Sequence, residues 1–299
     1  MSSPLETTVL IIGAGPAGIS SAIQLKRCRI PFILLEKSRV GGLLWNANLI
    51  ENYPGFPSGI PGPELVCLLE EQLAHLEISI RKEEVRVLDR KGNEFSVSTD
   101  RNEYRAYYAV VASGTQPRQF PLRVPVGLRR RVSSDVVSLL DMEKKHIVII
   151  GSGDAAFDHA LNMAKKRNFI TILNQDQEVK CLTILKERAF MNKAINYFDQ
   201  VKTLAITPDN SSQGVVIKCE SNGNAWEIKA DHVVTAIGRE PQLDFLSNTL
   251  LTEKERWLAS EELYFIGDVH NGFLRQMAIA AGEGVRTAML IQSHLHNRA

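Results

Sequence analysis

Val9–Lys37 reads VLIIGAGPAGISSAIQLKRCRIPFILLEK, and Ile147–Gln175 reads IVIIGSGDAAFDHALNMAKKRNFITILNQ. The two stretches align without a gap, 138 residues apart. Each consists of a four-residue apolar strand, a tight glycine turn, a helix with apolar residues at helical spacing, and a second apolar strand. Ile19, Ala22, Ile23 and Leu25 would face the sheet in the first copy, and Ala156, Ala160, Leu161 and Ala164 in the second. Strands that are apolar throughout, without alternation, belong to a parallel sheet buried on both faces. The unit is therefore strand–helix–strand, and the chain carries it twice.

The first copy has Gly13-x-Gly15-x-x-Gly18. In such a turn the first glycine allows the bend, the second lets the backbone approach a pyrophosphate, and the third allows the helix to pack closely on the strand. Phosphates would sit at the helix N-terminus, where unpaired N–H groups and the helix dipole favour negative charge. Pro16 suits the first helical position, where a missing N–H costs nothing. Glu36 ends the second strand, 23 residues after Gly13, and there its carboxylate can accept from two ribose hydroxyls. The second copy has Gly151-x-Gly153-x-x-Ala156, followed within the turn by Asp154 and Ala155. Alanine in third place still allows close packing.

Bulk numbers exclude several classes. The 299 residues suffice for two domains, and 44% hydrophobic with 23% charged residues is the composition of a soluble globular protein. A formal charge of +1 gives no field favouring nucleic acid or an acidic membrane. No apolar run approaches a membrane span and no signal peptide is expected. Cys28, Cys67, Cys181 and Cys219 show neither CxxC nor metal-ligand spacing. A cytoplasmic protein with no metal, nucleic-acid or membrane partner is expected. Between the copies, Glu83–Val97 and Glu103–Val111 look like alternating strands, the latter running into VVASGT (Val110–Thr115). HVVTAIGRE (His232–Glu240) has the same shape, an apolar strand ending on Gly238. The last block, Tyr264–Ile291, is a strand, Gly267-Asp268, a loop and a helix rich in small residues.

GAGPAG, GGLLWNANLIENYPGFPSGIPGPEL (Gly41–Leu65), VVASGT, GSGDAA, AIGREP and FIGDV…LRQMAIAAGEG together resemble the low-molecular-weight thioredoxin reductase family of flavoproteins, over nearly the whole chain. The resemblance implies an α/β fold of two Rossmann-like three-layer dinucleotide-binding domains, the second inserted in the first. It implies FAD-binding parts at residues 1–117 and 243–299, an NAD(P)H-binding-like domain at 118–242, and a homodimer. On this basis Gly13, Gly15, Pro16, Ala17 and Gly18 hold the FAD pyrophosphate, and Glu36 with Lys37 the adenosine ribose. Gly41, Gly42, Leu43, Asn52, Val85, Ala112, Ser113 and Gly114 line the cofactor. Gly267 and Asp268 hold the ribitol, and Arg275, Gln276 and Met277 cap the flavin. Gly151, Gly153, Asp154, Ala155, Asn174 and Gly238 form the second nucleotide site.

The chain departs from that family in one decisive place. Members that reduce thioredoxin carry CxxC before the second unit, whereas Arg129–Val148 reads RRRVSSDVVSLLDMEKKHIV. Ser133-Ser134-Asp135 cannot exchange disulfides, because exchange needs a thiolate nucleophile and a thiol leaving group. In this the chain is also similar to the thioredoxin-reductase-type ferredoxin–NADP reductases. Packing explains Cys28 and Cys67 in helices and Cys219 in a strand; Cys181 reads as an incidental surface thiol.

The expected function is a FAD-dependent oxidoreductase that takes electrons from NADH or NADPH and passes them to a separate acceptor without a redox disulfide. Flavin N5 carries the chemistry, so no catalytic side chain is assigned. Asn174 aligns with Glu36, and the family's cationic His-Arg-Arg run at this strand end is replaced by Asn174-Gln175-Asp176. NADH is therefore favoured, with the amides of Asn174 and Gln175 facing an unphosphorylated ribose and Lys180 too far along the loop to help. Arg118, Arg123, Arg129, Arg130 and Arg131 offer docking to an acidic electron carrier, or simply form a solvated face. Two alternatives stand beside this: a FAD-binding partner or redox sensor whose second domain binds neither nucleotide, and a thioredoxin reductase-like protein using an external thiol.

Overall fold

The computed structural model describes residues 3–210 and 214–298. The chain divides into two units, one comprising Met1–Trp45, Ile50–Gln116 and Glu240–Ala299, the other Asn46–Leu49 and Pro117–Arg239.

The first unit opens with β1 (Leu5–Ile12), α1 (Pro16–Arg27) and β2 (Phe32–Glu36), followed by α2 (Gly62–His75) and β3 (Ile80–Lys82). Next come β4 (Val85–Lys91), β5 (Glu94–Thr99) and β6 (Glu103–Val111). The expected Glu83–Val97 strand is thus two antiparallel strands, because Gly92 at φ +62° turns the chain between them. β1 is the parallel centre, with β2 and then β3 on one side and β6 on the other. β6 pairs antiparallel with β5 through Glu103–Ala106 and parallel with the returning chain through Ala109–Val111. The sheet forks along this one strand.

β7 (Thr115–Pro117) leads out of the first unit, and in the second β8 (Val132–Ser133) precedes β9 (His146–Ile150), α3 (Asp154–Ala164) and β10 (Phe169–Leu173). α4 (Thr183–Met191) and β11 (Ile195–Phe198) complete a second crossover. β12 (Lys202–Pro208), β13 (Val215–Ser221) and β14 (Asn224–Ala230) form an antiparallel meander before β15 (His232–Thr235). The parallel sheet runs β11-β10-β9-β15-β8. β16 (Arg239–Pro241), which pairs with β7, returns the chain to the first unit. There α5 (Asn248–Thr252), α6 (Lys254–Ala259), β17 (Leu263–Phe265) and α7 (Met277–Arg298) close it.

The duplication extends to individual hydrogen bonds. Val9 pairs with Phe32 and Ile12 with Leu35; 138 residues on, Ile147 pairs with Ile170 and Ile150 with Leu173. Gly13 N donates to Leu35 O at 2.8 Å, and Gly151 N to Leu173 O at 2.9 Å. Ala112 N donates to Ile12 O, and Ala236 N to Ile150 O, both at 2.8 Å. Each sheet buries its residues on both faces, with Val9–Ile11 and Ile147–Ile149 fully inaccessible. Helix residues expected to face the sheet do so: Ile19, Ala22 and Leu25 are fully buried and Ile23 packs against them, as do Ala156 and Ala160 with Leu161 and Ala164 in the second copy.

In the first unit α7 lies directly along α1. The small residues of α7 are the reason, since a Cβ at Gly284 would overlap the Ala17 carbonyl and come within 2.8 Å of Ser21 N. These are backbone atoms of a neighbouring helix and cannot yield without separating the pair. Gly284→Val should therefore cost about 3 kcal/mol and lower the thermal midpoint clearly. An unchanged midpoint would contradict this packing.

Candidate functional site

The first glycine turn is built as a cradle. Gly13 adopts φ +105°, and a Cβ there would overlap the Ala112 carbonyl, so only glycine fits. Gly15, by contrast, has nothing within 4 Å of where its Cβ would stand, which leaves its backbone open to a ligand. α1 has Pro16 at its start and no acidic residue in its first turn, so its N-terminal field is uncompensated. Glu36 is tethered beside it. Its Oε2 accepts from Ala14 N at 2.9 Å and its Oε1 from Ser38 N at 2.8 Å. A carboxylate has lone pairs to spare after these two bonds, and Glu36 is only partly buried.

Other expected residues gather around this turn. Gly41 N donates to Ala14 O at 2.8 Å, and Gly42 lies 3.5 Å from Gly15, measured from its would-be Cβ to Gly15 Cα. Gly267 approaches Ala17 to 2.9 Å on the same measure, which brings Asp268 to the N-terminal end of α1. Asn52 Nδ2 donates to Gln276 Oε1 at 2.8 Å, linking two of the residues expected at the flavin. Ser113 Oγ donates to Gln242 O and Gln242 N to Gly114 O, which pins the end of β6. Lys37 and Leu43 are exposed, Val85 opens β4 and packs half-buried against the core, and Arg275 and Met277 flank Gln276 at the start of α7. The sequence reading missed Glu283, whose Oε2 accepts from Gly267 N at 2.6 Å and Asn271 Nδ2 at 2.9 Å. The only signal was a carboxylate between two glycines in a helix of small residues.

The second turn has the same backbone and different chemistry. Gly151 adopts φ +129° against the Ala236 carbonyl, as Gly13 does against Ala112. However, α3 begins on Asp154, whose Oδ1 accepts from Leu182 N at 2.7 Å. Gly153 forms an isolated bridge with Lys180. Ala155 and Gly238 are exposed.

Asn174 reproduces the tether of Glu36 but not its free valence. Its Oδ1 accepts from Ser152 Oγ at 2.8 Å and Asp176 N at 3.0 Å, at positions equivalent to Ala14 and Ser38. Its Nδ2 donates to Glu178 O and to Tyr197 OH, each at 2.9 Å. With both amide protons and both lone pairs used, and only 3% of its surface exposed, Asn174 does not offer a ribose the amide expected of it. That exposure falls to Gln175 and Asp176. Lys180, expected to lie too far along, folds back so that its Nζ meets Asp176 Oδ2 at 2.7 Å.

The Ser133–Asp135 segment is a self-closed turn. Ser133 Oγ donates to Asp135 O and accepts from Asp135 N, and Asp135 Oδ1 accepts from Val137 N. Behind it on α3, burial pushes His159 down to about 4, so this ring is neutral at physiological pH. Burial pushes its neighbour Asp158 up to about 6. All four cysteines are free thiols. Burial pushes Cys219 up to about 11, and burial followed by the Asp154 carboxylate raises Cys181. Neither is poised as a thiolate. Among the described residues no group of three His, Cys, Asp or Glu side chains is placed to hold a metal ion, and no helix is long and apolar enough to cross a membrane.

A family model for pyridine nucleotide-disulphide oxidoreductases matches residues 7–284. The chain belongs to that family. The family implies FAD and a nicotinamide nucleotide, and the open Gly15 turn with its tethered Glu36 suits the FAD adenosine diphosphate. Thioredoxin reductase of Mycolicibacterium smegmatis is 27% identical over 292 residues, covering 92% of each chain. A 34.2 kDa protein in the rubredoxin operon of Clostridium pasteurianum is 24% identical over 313 residues, covering 99% of each. Lactococcus lactis thioredoxin reductase superposes with a TM-score of 0.88 at 25% identity, over 97% of this chain and 99% of that one. The protein is an oxidoreductase with the thioredoxin reductase-like fold.

Glu36→Arg removes the strand-end carboxylate and the Ala14 tether together. Loss of hydrogen bonds to a charged group should weaken FAD binding about 100-fold. Equilibrium dialysis against FAD measures this, and undiminished affinity would displace Glu36 from the site.

Proposed function

We propose that this protein transfers electrons from a nicotinamide nucleotide, NADH in preference to NADPH, through FAD to a separate acceptor, without a redox-active disulfide of its own. FAD, when bound, accepts hydride and releases electrons singly or in pairs. The chain's own residues bind and orient it: the α1 N-terminus faces the phosphates, Glu36 the ribose, and Asn52 and Gln276 form a linked pair beside the flavin position.

The single observation that carries this reading is the Ser133–Asp135 turn, in the segment that the resemblance matches to CxxC, whose groups cannot exchange thiols. The thiols elsewhere do not replace it, since Cys219 is buried, Cys28 donates to Gln292 Oε1, and Cys67 lies exposed on α2. Electrons must then leave the flavin directly. Arg118, Arg123, Arg129 and Arg130 are exposed, whereas Arg131 donates to Asp231 O. Four exposed cations suit docking of an acidic carrier, an attraction that salt screens. A second reading, in which the second unit no longer binds nucleotide, draws on Asp154 at the α3 N-terminus and on the occupied amide of Asn174.

Changing all four cysteines to serine should leave NADH-driven reduction of an artificial one-electron acceptor within about twofold of the parent, because none lies on the electron path. In the same assay, reduction of an acidic carrier protein should slow as salt rises. A folded, flavin-loaded serine variant that no longer reduces the acceptor would place a thiol on the path and end the proposal.

A further inference from the structure

Lys180 is the one cation between Asn174 and Leu182, and its position is unusual. Its main chain bridges to Gly153 in the second glycine turn, while its Nζ reaches Asp176 Oδ2 at the end of β10. The side chain therefore spans the two parts of the expected nucleotide site, the pyrophosphate turn and the ribose end. Asp176 raises the Lys180 pKa first through this hydrogen bond and then through its charge, with Glu178 adding to it, so the ammonium stays fully charged. Both partners are well exposed, at 69% and 56% of their side-chain surface.

We infer that Asp176 is a specificity-determining residue that discriminates against a 2′-phosphate on the adenosine ribose. The inference rests on the reading of the second unit as a nucleotide site. Asp176 acts in two ways. Its carboxylate repels a phosphate dianion directly, and it occupies the only ammonium on the turn that could neutralise one. Asn174 cannot take this role, because all its hydrogen-bonding positions are used internally. Gln175 is exposed but uncharged.

The turn does not depend on the ion pair. Asp176 N bonds to Asn174 Oδ1, and Asp176 O accepts from Gln200 N, both through the main chain. Exposed ion pairs contribute little to stability. Asp176→Asn therefore keeps the turn while removing one negative charge and freeing one positive charge, and the two effects act in the same direction on a 2′-phosphate.

The test uses the FAD-loaded protein, so that the first site is filled, with NAD⁺ and NADP⁺ as probes, which differ by the 2′-phosphate and leave the oxidised flavin unchanged. Isothermal titration measures both dissociation constants. The parent should bind NAD⁺ more tightly. In Asp176→Asn the affinity for NADP⁺ relative to NAD⁺ should rise about tenfold, and the gain should shrink in high salt. Adding Lys180→Met should shrink the gain to the part that comes from the lost carboxylate repulsion, whereas a structural role for Asp176 would weaken both ligands equally. An unchanged ratio in Asp176→Asn, or a gain that Lys180→Met leaves undiminished, overturns the assignment. Binding of neither dinucleotide by the parent overturns the nucleotide reading beneath it instead, and is distinguishable from both.

Discussion

Everything in this fold hangs on one close approach, repeated twice: a glycine at positive φ set against the carbonyl that follows the neighbouring parallel strand. In the first unit Gly13 meets Ala112, and in the second Gly151 meets Ala236. Without a side chain the strand turns directly into the helix, and the helix N-terminus is aimed along the sheet edge. With one, the turn must move off the sheet and the helix with it. The register of β1 on β2 and of β9 on β10, the strand-end hydrogen bonds and the burial of both helices all follow from holding that corner fixed.

On this common scaffold the two copies differ in electrostatics. The first copy carries no acidic residue within the first turn of α1, and the Glu36 carboxylate at the strand end keeps lone pairs free after tethering its loop. The second places Asp154 in the same helical field and ties it to Leu182 N. At the strand end Glu36 retains acceptor capacity after tethering its loop, whereas Asn174 spends everything on the tether. A backbone suited to a dinucleotide is thus kept in both units, while the groups that set affinity and charge preference have diverged.

The duplicated unit was legible because it depends on short-range patterns: four-residue apolar strands, glycine spacing and a helical stripe, all within Val9–Lys37 and Ile147–Gln175. Glu36 was legible for the same reason, since a strand end at fixed distance from a glycine turn has one place to go. The alignment of Asn174 with Glu36 was correct in position and misleading in chemistry. Whether its amide is free depends on Tyr197, a residue in another strand, and on the path of the chain at Glu178. Neither is visible in a pattern. Lys180 was misplaced because the loop folds back on Gly153, and Glu283 was overlooked because its partner, the Gly267 amide, lies in a different element. The fork in the first sheet was hidden as well, because one edge of a nine-residue strand serves two partners in turn while its other edge pairs with β1.

The central claim is that electrons enter this protein from a nicotinamide and reach FAD. Anaerobic stopped-flow mixing of the FAD-loaded protein with NADH or NADPH, followed at the flavin absorbance band, tests it most directly. The account predicts full bleaching by either nucleotide at saturation, faster and at lower concentration with NADH. Bleaching that is faster and tighter with NADPH would contradict the stated preference, and a flavin that neither nucleotide reduces would contradict the claim itself.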